Sequence, residues 1–182
     1  MRRLLLPVPV LIASVVALAG CGGGGGGSSS TKSAADWASG YCSAATTWVN
    51  TLEQQRSAAR SGSTSPGDAA QAVTTQTNDF TQTIDGLGAP DTPDGSTSES
   101  TAKALATTLQ GRVGRITAAA STTNPNVTAA QQKKIVGDQI AASLSDVATT
   151  TGQLETNDAA LGTAIKASPD CTKLDAALAA AK

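Results

Sequence analysis

Trp37, Tyr41, Trp48 and Phe80 are the only aromatic side chains in a chain of 182 residues. Most other positions are small, with alanine and threonine dominant. Burial contributes about 25 cal/mol per Å² of apolar surface, so a core of such residues gains little at each position. What small side chains do allow is close approach of helices. The few bulky residues must therefore collect on single helical faces, and they do. Strand signals are nearly absent.

The spacing predicts a first helix over residues 34–60, where Trp37, Tyr41, Ala45, Trp48 and Leu52 step by three or four. Ser65 and Pro66 open a second, as N-cap and first helical residue. Its inner face is Val73, Phe80, Ile84 and Leu87, and it ends at the Gly86–Pro90 punctuation. Ser96-Thr97-Ser98-Glu99 reads as a capping box for a third helix with Ala102, Leu105, Leu109, Val113 and Ile116 inward. Thr128-Ala129-Ala130-Gln131 is a second capping box. It opens a long seam of Val136, Ile140, Leu144, Val147, Thr151 and Leu154, continuing to Leu161 and Ile165 at heptad intervals. Asp158 interrupts the seam, and Gly152 weakens it by about 1 kcal/mol relative to Ala. A kink or loosened turn is expected between Gly152 and Asn157. Ser168-Pro169-Asp170 opens a last short helix with Leu174 and Leu178 inward. The expected fold is all-α, an antiparallel four-helix bundle with a short C-terminal fifth helix.

Three cysteines occur, Cys21, Cys42 and Cys171. Cys21 closes an export pattern. Arg2 and Arg3 precede an apolar run over residues 4–18, and small residues stand before the cysteine. The run holds Pro7 and Pro9 and is shorter than the ~20 residues a membrane span needs. Export means an oxidising compartment, so Cys42 and Cys171 are expected to pair. The alternative is two buried free thiols. In an up-down-up-down bundle, the end of the fourth helix returns beside the start of the first. That brings the two cysteines to one end.

Leu18-Ala19-Gly20-Cys21 resembles the lipobox of bacterial lipoproteins. The resemblance implies acylation of the Cys21 sulfur, cleavage before it, and a cell-membrane protein anchored on the extracytoplasmic face. A diacylated cysteine anchors stably. The expected organisation is then a signal peptide over 1–20, a lipidated cysteine and Gly/Ser linker over 21–35, and a helical domain over 36–182. A Gly/Ser stretch of that length has a root-mean-square reach of roughly 20 Å. Trp37 with Tyr41-Cys42, Trp48 and Leu52, Leu87-Gly88-Ala89-Pro90-Asp91-Thr92 and the late Cys171 also resemble small secreted and lipid-anchored proteins of high-GC Gram-positive bacteria. That likeness implies fold and location, and no activity.

Composition excludes several chemistries. The chain has no histidine, so it holds no Ser-His-Asp triad and no imidazole metal site. Removing Arg2 and Arg3 leaves 11 basic against 14 acidic side chains, a net charge of −3 without a basic block. Nucleic acid therefore has no electrostatic footprint here. Asp85, Asp91, Asp94 and Glu99 are the densest acidic group, but their spacing does not fit the EF-hand loop. Asp91-Thr92-Pro93-Asp94-Gly95 is equally a good turn. No metal and no cofactor are expected.

Trp37, Tyr41 and Trp48 on one face are either core filling or an aromatic platform for a ligand. Trp37, in the first turn, is the best single contact candidate. The many threonines either line a polar groove or form a solvated face. Asn126-Val127-Thr128 matches a glycosylation sequon, a pattern with no expected reader on a bacterial lipoprotein. No catalytic constellation emerges. The expectation is a non-catalytic interaction or accessory module of the envelope, with the membrane and an unknown protein as partners. The alternative is a carrier or sensor holding a small apolar ligand between helices.

Overall fold

The computed structural model describes residues 31–121 and 128–181. It consists of α1 (Ala34–Ser61), α2 (Pro66–Leu87), α3 (Gly95–Ser121), α4 (Ala129–Asn157), α5 (Ala159–Ala167) and α6 (Pro169–Ala180). The one β-type contact among the described residues is a single parallel bridge between Lys32 and Pro90. The lipobox residues Leu18, Ala19, Gly20 and Cys21, most of the Gly/Ser stretch and Asn126-Val127 lie outside the described residues.

Side-chain contacts fix an up-down-up-down order for the four long helices. Trp37 donates its indole N–H to the Gly88 carbonyl at 2.8 Å, and Trp48 donates to Thr77 Oγ1 at 2.8 Å, so α2 runs back along α1. Thr74 meets Thr117 near one end of the α2–α3 pair, and Lys103 lies 4.0 Å from Asp85 near the other. Arg112 grips Asp146 side-on, and Arg115 donates to Gln139 at 2.9 Å, which runs α4 antiparallel to α3.

The starts form for local reasons. Ser33, Ser65 and Thr128 accept from the backbone N–H three residues on, at 3.1, 3.1 and 3.2 Å. Thr128 and Gln131 form the reciprocal capping box that the sequence predicts. Ser96–Glu99 does not. α3 has already started at Gly95, with the Asp94 carbonyl accepting from Thr97 and Ser98. The turn Pro90–Gly95 is wound so tightly that a Cβ on Gly95 would collide with the Pro90 carbonyl oxygen. The turn itself therefore launches the helix, one residue before the box.

The long seam also divides differently. α4 continues through Gly152 to Asn157 without the expected loosening, held by buried Thr151 and Leu154. The break falls at Asp158, where the backbone turns extended and the carboxylate caps α5. α5 then turns the chain, and α6 runs parallel to α1. Ser39 donates to Asp170 at 2.6 Å near the start of both helices, and Arg56 reaches the Ala181 carbonyl at 3.5 Å near their ends. α5, the segment that the sequence read as the end of the fourth helix, lies beside α1 as expected, and α6 packs there with it.

Cys42 and Cys171 are joined by a disulfide, with an S–S distance of 2.04 Å across 129 residues of sequence. Around it lies one core, in which Trp37, Tyr41, Trp48, Phe80, Leu52, Ile84 and Leu109 are the largest fully buried side chains of the first three helices.

Candidate functional site: the entry end of the bundle

Long-range polar contacts concentrate where α1 begins. Lys32 and Asp91 pair through the backbone, with the Asp91 N–H donating to the Lys32 carbonyl at 2.8 Å. This pins the incoming chain to the α2–α3 turn. Gly88 turns in the left-handed region, φ 65°, which presents its carbonyl to Trp37. Ser39–Asp170 and the disulfide tie α1 to α6 on the other side.

Asp158 sits at the centre of this end, 1% exposed. Its Oδ1 accepts the Leu161 N–H at 3.0 Å. Its Oδ2 accepts from the hydroxyls of Thr92 and, at 3.3 Å, Ser98. Burial by itself would raise this carboxyl's pKa. The hydrogen bonds from Leu161, Thr92, Ser98 and Ala160 outweigh it and hold the group below the usual carboxylate range. One carboxylate therefore joins the α2–α3 turn, α3 and the α4–α5 joint without a basic partner. Gly162 fits beneath it because a Cβ there would collide with the Glu155 carbonyl oxygen on α4. A carboxylate this closed has no face for a substrate. It is a structural tie.

The aromatic candidates are placed in the core. Trp37 and Tyr41 are 0% exposed and Trp48 is 1% exposed. Trp37 and Tyr41 stack, with centroids 5.5 Å apart. The Tyr41 hydroxyl meets Thr151 at 3.1 Å, and burial pushes its pKa up to about 12, with the Thr151 bond partly opposing. Trp37, the contact candidate of the sequence, is thus buried. The α2–α3 connection around Gly88 folds over the first turn of α1 and covers the indole. All three rings are part of the core.

Asp85, Asp91 and Asp94 are exposed and Glu99 is half-buried. Lys103 pairs with Glu99 at 2.7 Å, and that bond raises the lysine's pKa. Among the described residues, no three acidic or cysteine side chains gather as a metal-holding group. None of the helices there is long and apolar enough to cross a membrane.

Two shallow grooves flank α3, each open to solvent. One, about 350 Å³, lies against α4 and is lined by Thr101, Ala104, Thr108, Asp146, Thr150 and Gln153 among others. The other, about 360 Å³, lies against α2 and includes Thr74, Asn78, Gln110 and Gly114. The Thr74, Thr101 and Thr108 hydroxyls donate back to carbonyls of their own helices.

Asp158 and its partners are what sequence reasoning missed. The available signal was an acidic residue on an otherwise apolar seam, followed by a helix. The chain matches no protein-family model, no curated protein and no solved structure.

Proposed function

We propose that this chain is a lipid-anchored envelope protein of the extracytoplasmic face, and that its helical bundle is a non-catalytic interaction or accessory module. The carrying observation is the Leu18-Ala19-Gly20-Cys21 pattern and the Gly/Ser run that follows it, feeding into a bundle with all its aromatic side chains turned inward. The bundle's most elaborate polar chemistry, around Asp158, is spent on holding elements together. Its open surfaces are small-residue and threonine-rich, suited to contact and poor in groups that transfer protons or electrons. The small-ligand carrier has less behind it, since both grooves beside α3 are shallow and open.

The test is fractionation of cells making the parent and Cys21→Ser. The parent goes to the membrane, and the variant is released or mislocalised. Unchanged membrane fractionation of the variant refutes the anchor. Crosslinking in intact envelopes followed by pull-down tests the module, which predicts a reproducible protein partner. A ligand retained through native mass spectrometry, with no crosslinked partner, would favour the carrier instead.

A further inference from the structure

The end of the bundle where the chain enters is also its acidic end. Asp36, Asp91, Asp94 and Glu155 stand there without ion-pair partners among the described residues, and Asp158 is buried behind them. Among the described residues there, Lys32 and Lys166 are the bases outside any ion pair. Lys103 serves both Glu99 and Asp85, which leaves one carboxylate in surplus, and Lys173 cancels Asp170. That end therefore carries net charge −4, from five carboxylates and the surplus one against two lysines. At the opposite end Glu53–Arg56 and Lys134–Asp138 are paired, and Arg60 and Lys133 outnumber Asp68. The bundle is electrically polar along its axis. The Asp91–Lys32 backbone bond directs its negative pole toward the tether.

We infer that this negative pole holds the bundle off an anionic bilayer. The inference rests on the proposed anchor at Cys21. Residues 21–31 contain no charged side chain, so nothing in the linker opposes the repulsion. The repulsion acts over the Debye length, about 8 Å at physiological salt.

The test couples the chain over 21–182 through the Cys21 thiol to a maleimide lipid in supported bilayers. Cys42 and Cys171 are already joined, so coupling is directed to one site. Neutron reflectometry then reads the gap between headgroups and protein. On phosphatidylcholine with phosphatidylserine, the gap is wide at low salt and closes at about 1 M, where the Debye length is about 3 Å. On phosphatidylcholine alone it is small at both. Asp91→Lys with Asp94→Lys brings the pole to neutrality and closes the gap on the anionic bilayer. Equal gaps on both bilayers at low salt, or a gap indifferent to salt, would overturn the inference without any variant. A folded double variant standing as far off as the parent would do the same. The coupling is chemical, so these outcomes are separate from cellular anchoring, which Cys21→Ser tests.

Discussion

The two ends of this bundle are held by different kinds of bond. At the entry end, partners lie far apart in sequence: Trp37 with Gly88, Thr92 with Asp158, Ser39 with Asp170 and Cys42 with Cys171. At the far end the ties are mostly local. Gly62 closes α1 in the left-handed conformation, φ 74°, Ser65 caps α2, and Thr128 with Gln131 caps α4. The first buried residue of α4 is Ile140, about three turns in. Local caps shape a terminus but bury little. Long-range ties resist opening of the whole fold. The entry end should therefore open only with global unfolding, and the far end should fray first.

The largest break in that contrast is reduction. The disulfide spans 129 residues, and α6, 12 residues long, is too short to persist by itself. Cys42→Ser with Cys171→Ser should cost about 2–5 kcal/mol, read as a lower urea midpoint that reductant no longer changes. Asp158→Ala comes next. It strands buried hydroxyl and N–H donors and removes the α5 cap, at about 2–3 kcal/mol by urea denaturation.

Titration sharpens the same point. The Asp158 carboxyl is held below its unfolded value of about 3.9. Its contribution is therefore complete above that value and is lost as pH falls through the folded pKa. The stability difference between the parent and Asp158→Asn should narrow when urea midpoints are taken at pH 6 and then below about pH 4. A constant difference would mean that the charge of Asp158 adds nothing.

Two glycines give opposite signs at the two ends. Gly162→Ala forces a Cβ into the Glu155 carbonyl and should cost about 1–3 kcal/mol in thermal unfolding. Gly137→Ala, in open space near the start of α4, should stabilise by up to about 1 kcal/mol. It should also slow amide exchange in residues 133–141 while leaving residues 37–48 unchanged.

Much of the fold was legible because helix periodicity and caps involve neighbours. Val73, Phe80, Ile84 and Leu87 are buried together, as their spacing predicts, and Thr128–Gln131 caps as read. Ser96–Glu99 has the same letters as a capping box and fails, because the preceding turn had already aligned the backbone. Asp158 was visible as a fault in the seam, but its burial and its partners Thr92 and Ser98 were not, since they lie some sixty residues away.

The sequence by itself determined the helical class, most helix starts, the inward faces, and a pair of cysteines set to meet at one end. Only the tertiary structure decided that α6 lies parallel to α1, that Trp37 is covered, and that a lone carboxylate joins three segments. Each of these depends on which surfaces meet after the helices form. Side-chain periodicity says which face turns inward, and packing alone selects what that face touches.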